Sequence, residues 1–300
     1  MLKIAYHKIY QHPLPEGHRF PMVKYELIPS QLLYEGIISA ENLFEPEIIK
    51  EEDILLTHDA DYWNRMKNLQ LTDKEMRKVG FPLSAQLVER EQRIAQGTID
   101  CAAYSFKFGV AMNIAGGTHH AFSNKGEGFC LLNDFAIAAN YLLHRKNIHR
   151  ILIIDLDVHQ GNGTAQIFEN DSRVFTLSMH GKDNYPFFKE QSDIDIELPN
   201  GITDDVYLHL MTKNIPKVIE TLKPECIFYL SGVDILATDK YGKLNITPEG
   251  CAERDKLVFS WCKQYGIPVV VSMGGGYSPK IADIVNAHCK TFKIASEIFF

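Results

Sequence analysis

Asp155, Asp157 and His159 fall at alternate positions directly after four aliphatic residues, in Ile-Leu-Ile-Ile-Asp-Leu-Asp-Val-His-Gln-Gly-Asn-Gly (151–163). If the chain stays extended there, the three side chains share one side. Asp157 and His159, joined by the remote Asp234 of Ser-Gly-Val-Asp, make a set of one imidazole and two carboxylates. Three N/O ligands leave a coordination position open to water, as in catalytic rather than structural zinc sites, and ferrous iron suits the same donors. Paired acids have plainer uses, capping a following helix or holding magnesium. Asp193, Asp195 and Glu197, which alternate with Ile194, Ile196 and Leu198, read as a strand with one wet face.

Two further clusters carry chemistry. Adjacent histidines in Gly-Gly-Thr-His-His-Ala (116–121) would face opposite ways in a strand, with one of them a core residue. In a glycine-preceded loop both can face a cleft. A neutral imidazole there can take a proton from an activated water and return it to a leaving amine, and an acid such as Asp155 can orient the ring by accepting its N–H. Gly-Gly-Gly-Tyr (274–277) lets the backbone turn closely and presents a hydroxyl that can donate to a developing oxyanion. Glycine-rich loops also bind phosphate, but the chain has no Gly-x-x-x-x-Gly-Lys-Ser/Thr pattern.

The elements that position these residues read as a parallel sheet covered by helices. Buried strands are expected at 151–154, 173–178, 226–230 and 267–272, each short and continuously apolar. Helices are expected at 134–145, 204–222 and 248–265, the last with Thr247 as N-cap, Pro248 at its first position and Gly266 past its end. The first hundred residues are less regular: helices are expected at 25–35 and 82–96, another at 100–113, and residues 7–22 read as a loop. Three of the strands end in the polar loops quoted above. Ligands of open α/β sheets bind outside the carboxyl ends of strands, so these loops should meet on one rim.

The bulk properties agree. The 300 residues are 45% hydrophobic and 23% charged, without repeats, low-complexity tracts or linkers, which reads as one domain over 1–300. A net charge of −7 argues against general nucleic-acid or anionic-membrane binding. Six scattered cysteines without a Cys-x-x-Cys pair read as reduced core residues. No signal peptide is evident and no window approaches the ~18 apolar residues of a membrane span, so a cytoplasmic enzyme is expected.

In this order, the motifs 116–121, Gly-Phe-Cys-Leu-Leu-Asn-Asp (128–134), 155–163, 231–234 and 274–277 make the chain resemble the zinc-dependent histone deacetylase and acetylpolyamine amidohydrolase superfamily over most of its length. The resemblance implies the arginase-like α/β fold, a central mainly parallel sheet flanked by helices on both faces. His-Gln-Gly-Asn-Gly is similar to the class IV branch and its bacterial relatives, whereas many members carry His-His-Gly-Asp-Gly.

By the same resemblance, Asp157, His159 and Asp234 would hold zinc, or ferrous iron in its place. His119 and His120 would be the catalytic pair, with His120 the general base and acid, and Tyr277 would polarise the acyl carbonyl. Asp155 would support His119, and Asp155, Asp157, His159, Ser178 and Met179 would hold a structural potassium ion. Gly128, Phe129, Tyr185, Phe187 and Gly275 would line the substrate path, with His18 and Arg19 at the rim.

The departure is Asn162, where many relatives place an aspartate behind the second histidine. A neutral amide stabilises imidazolium less, so His120 should lose its proton more readily. The implied substrate is an acetyl- or longer acyl-lysine of a protein or peptide, or alternatively a small acylated amine such as an acetylpolyamine. A binuclear ureohydrolase would need more metal carboxylates. A non-catalytic acyl-lysine binding module would be expected to lack a ligand, histidine or tyrosine, and none is missing.

Overall fold

The aliphatic runs form strands and the amphipathic segments between them form helices in the computed structural model, which describes residues 1–300. The strands are β1 (Lys3–Ala5), β2 (Leu43–Phe44), β3 (Val110–Asn113), β4 (Ile151–Asp155), β5 (Val174–Gly181), β6 (Ile194–Leu198), β7 (Cys226–Leu230) and β8 (Val269–Ser272). They make one eight-stranded sheet in the order β2-β1-β3-β8-β7-β4-β5-β6, parallel at every pairing. The helices are α1 (Lys24–Tyr34), α2 (Glu51–Ile54), α3 (Ala60–Lys67), α4 (Asp73–Val79), α5 (Ala85–Phe108), α6 (Asp134–Arg145), α7 (Asn162–Phe168), α8 (Asp204–Leu222), α9 (Pro248–Tyr265) and α10 (Ile281–Phe299). Helices cover both faces of the sheet, which is why β3, β4, β7 and β8 are buried along their whole lengths and read as unbroken apolar runs.

The expected helix at 100–113 is helical only through Phe108 and is not a separate element. α5 runs unbroken from Ala85 to Phe108, joining the expected 82–96 helix to the next turns, and Val110–Asn113 is a strand. Its start follows ordinary capping, with Ser84 accepting from the Leu87 N–H at 3.1 Å. Gly97 lies inside this helix, where a Cβ would sit 2.7 Å from the Tyr10 hydroxyl. Gly109, at φ +87°, ends the helix and turns the chain into β3. The histidine loop therefore follows a strand.

The α9 boundaries are as expected: Thr247 accepts from the Gly250 N–H at 3.0 Å, and Gly266 adopts φ +65°. β5 extends three residues beyond its expected end, through Gly181. β1, β2, the short helices α2 to α4 and the C-terminal α10 lie outside the elements expected from the sequence. All six cysteines are free and buried, and no helix is long and apolar enough to cross a membrane. One contiguous apolar core runs from Leu2 to Ala295, so both ends of the chain pack onto the same sheet.

Candidate active site

β3, β8, β7 and β4 are consecutive neighbours in the sheet, and their carboxyl ends open into 114–121, 273–277, 231–234 and 156–163. Parallel pairing puts all four loops on one rim. Asp157, His159 and Asp234 meet there, each offering a ligand atom within 4.8 Å of the others.

Backbone groups aim these carboxylates. The Val158 N–H donates to Asp234 Oδ1 at 2.9 Å and the Gly275 N–H to Asp157 Oδ2 at 2.8 Å. Glycine is required at 275 for closeness, since a Cβ there would collide with the Asp234 carboxylate. His159 Nδ1 lies 3.1 Å from Asp157 and 3.2 Å from Asp234. Burial, with Asp157 beside it, pushes the Asp234 carboxyl up to about 7. Burial opposes a charge on His159, yet its bonds to Asp157 and Asp234 outweigh this and lift its pKa to about 10. The electrostatics demand positive charge between two dry carboxylates, and the donor set of one nitrogen and two oxygens fits a divalent metal with an open position.

His119 and His120 do face the same cleft, their ring centroids 4.1 Å apart. His119 Nδ1 is 2.7 Å from Asp155 Oδ2. Burial opposes its charge, but Asp155 and Asp157 prevail and raise its pKa. His120 Nδ1 is 2.6 Å from Asn162 Oδ1. An amide oxygen can only accept, so Nδ1 carries the proton and Nε2 keeps its lone pair. Burial first, and then the neighbouring His119 and His159, hold the His120 pKa well below the usual histidine range. The hydrogen bond to Asn162 works against this lowering, so the low value comes from dehydration and the neighbouring imidazoles and not from the amide itself.

The mouth is a cavity of about 320 Å³ lined by His120, His159, Tyr277, Phe129 and Tyr185 among others. Tyr185 packs edge-on against His120 at 4.9 Å and donates to Glu127 at 2.7 Å; Phe129 lies opposite, 6.0 Å from the Tyr277 ring. Gly128 adopts φ +53° and a Cβ there would sit 2.7 Å from His120 Cδ2. Phe129 itself is held at φ +68°, a strained conformation that aims its ring at the cavity. Phe187 stands at the outer rim, 87% exposed, with Arg19 across the mouth. His18 instead turns to the Gly80 carbonyl, 2.8 Å away, and stacks on Phe81. Deeper in the sheet, β4–β5 register sets Asp155 opposite Ser178, with Met179 next to it.

Three supporting residues have no role assigned from the sequence. Lys24 is 0% exposed, donates to the Gly274 carbonyl at 3.0 Å and lies over the rings of Phe20 and Tyr25. Burial lowers its pKa to about 8, against the opposing pull of Asp234 and Asp157. Its signal was a lysine preceding Tyr25, Ile28 and Leu32 on the buried stripe of α1. Asp239 accepts from the N–H groups of Tyr277 (2.6 Å), Tyr241 and Gly242 (2.8 Å each). Asp134 accepts from Thr118 and from Ser272, tying the roots of the histidine and glycine loops together.

The histone deacetylase domain model matches residues 18–292. The chain is 42% identical over 296 residues to an uncharacterized protein of Picosynechococcus sp., covering 99% of each. It is 32% identical to histone deacetylase 2 of Arabidopsis thaliana, over 89% of this chain and 72% of that one. Among solved structures it superposes on a histone deacetylase homologue complexed with SAHA, with a TM-score of 0.85 and 25% identity over 99% of this chain and 84% of that one. The homologue from Aquifex aeolicus gives 0.84 and 26%, over 98% and 84%. With the eight-stranded parallel sheet and the domain match over nearly the whole chain, the protein belongs to the histone deacetylase family and is a hydrolase of that family.

Proposed function

We propose that the protein hydrolyses the side-chain amide of acyl-lysine, with zinc held by Asp157, His159 and Asp234. The observation that carries this reading is the meeting of that ligand set with two cleft-facing imidazoles and Tyr277 at the base of one cavity. When bound, the metal supplies Lewis-acid polarisation of the acyl carbonyl and acidifies water.

The chain's own groups do the rest. Tyr277, on a loop anchored by Asp239, donates its hydroxyl to the carbonyl oxygen as negative charge develops there. His120, fixed as the Nδ1–H tautomer by Asn162, takes the proton of the attacking water at Nε2 and delivers it to the departing lysine amine. His119, backed by Asp155, adds positive charge beside the reacting atoms. Phe129 and Tyr185 wall the slender acyl-lysine and keep bulk water out. Asp155, Asp157, His159, Ser178 and Met179 would hold potassium behind this layer.

The test is turnover of an acetyl-lysine peptide before and after chelation, with zinc or ferrous iron restored, alongside a panel from acetyl to long fatty-acyl lysines. Loss on chelation and recovery with metal are expected. Unchanged turnover after complete metal removal would overturn the reading.

A further inference from the structure

We infer that the rim of this site selects acyl-lysines flanked by acidic residues and disfavours polycationic acylamines. The inference rests on the deacylase reading above and concerns what surrounds the acylated side chain.

The molecule carries a net charge of −7, yet the mouth inverts that sign. Among the residues lining the cavity, Arg19, Lys78 and Lys243 stand against the single acid Asp183. All three cations are solvent-exposed, and none has a carboxylate within ion-pair distance. Arg19 is held in place, its guanidinium 5.0 Å over the Phe129 ring and 6.0 Å from that of Tyr241. Lys243 donates to the Asp183 backbone carbonyl at 2.7 Å, which leaves its charge uncancelled. The nearby acid Glu127 is already paired with Lys125 at 2.9 Å and bonded by Tyr185. Lys240, 5.5 Å from the Tyr241 ring, adds a fourth cation just outside.

A monoacetylated polyamine brings further ammonium groups that must sit in this rim while its acyl end reaches Tyr277. Like charges there oppose binding, whereas carboxylates flanking an acyl-lysine are attracted and steered. Phe187 on the outer rim of the cavity, 87% exposed, and the adjoining Phe188, 92% exposed, provide an apolar shelf for residues that flank an acyl-lysine in a peptide. Charge and shelf together favour an acidic peptide segment with an apolar residue near the acyl-lysine.

The experiment compares kcat/KM of the zinc-loaded full chain on three acetyl-lysine peptides of equal length, flanked by Glu and Leu, by Ser and Leu, or by Lys and Leu, and on monoacetylspermidine. Acidic flanks are expected to exceed basic ones by about tenfold at low salt, carried in KM, with monoacetylspermidine poorest; the ratio should shrink as ionic strength shortens the Debye length. In the doubly substituted Lys78→Glu/Lys243→Glu protein the preference should reverse. Equal rates on all peptides, a preference for basic flanks, or monoacetylspermidine as the best substrate would overturn the inference and leave the deacylase reading standing. No turnover of any acylated amine would sink both.

Discussion

At the residue scale, hydrogen-bond direction separates groups that the sequence presents as pairs. Asp157 joins His159 and Asp234, whereas Asp155 turns its Oδ2 to His119. In the proposed mechanism Tyr277→Phe removes one donor to the developing oxyanion, so its kcat should fall by about 10²-fold or more with KM changed far less. His120→Ala should lose roughly 10²- to 10⁴-fold in kcat. Asn162→Ala leaves both imidazoles in place but frees the His120 tautomer, and a loss of about 10- to 100-fold in kcat is expected. Steady-state assays on one acetyl-lysine peptide check all three, and a near-normal kcat for Asn162→Ala would mean that the amide does not orient the ring.

At the element scale, legibility followed length and burial. β4, β7, β8, α6, α8 and α9 could be read because each has a consistent apolar pattern and most have a capping or stop residue at an end. β3 could not: four apolar-to-polar residues directly after a 24-residue helix continue its pattern, and only Gly109 marks the change. β1 and β2, at three and two residues, are too short for any periodicity to declare them. The site motifs were legible because their residue types are improbable in a core, while Lys24 and Asp239 are single polar residues whose importance comes only from partners distant in sequence. Thr247→Ala should cost α9 about 1 kcal/mol in chemical denaturation through loss of its N-cap.

At the scale of the whole molecule, the site borrows from four strands and from α1, so it exists only when the sheet is complete. A metal bound by the folded state alone stabilises it by about 2.7 kcal/mol at a hundredfold excess over Kd. Chelation should therefore lower Tm, and His159→Ala should abolish the difference. Folding also hides His58: its Nε2 accepts from the Asn133 N–H at 3.0 Å at the start of α6, and burial lowers its pKa from 6.5 to about 4. A depressed histidine pKa means that the unfolded chain binds the proton first. The stability His58 contributes is complete above about pH 6.5 and is lost as pH falls toward about 4, by roughly 3 kcal/mol in all. Urea midpoints measured across that window should decline, and the decline should be shallower in His58→Gln.

The three glycines before Tyr277 have one more consequence, in the time domain. Such a run in a loop ordinarily announces motion, but here the Gly275 and Tyr277 N–H groups are both bonded to carboxylates, the Gly275 carbonyl accepts from the Val233 N–H at 2.9 Å, and Lys24 holds the Gly274 carbonyl. The amide hydrogens of Gly275 and Tyr277 should exchange with deuterated solvent about as slowly as those of the buried strand β8, because releasing either one requires the sheet's rim to open.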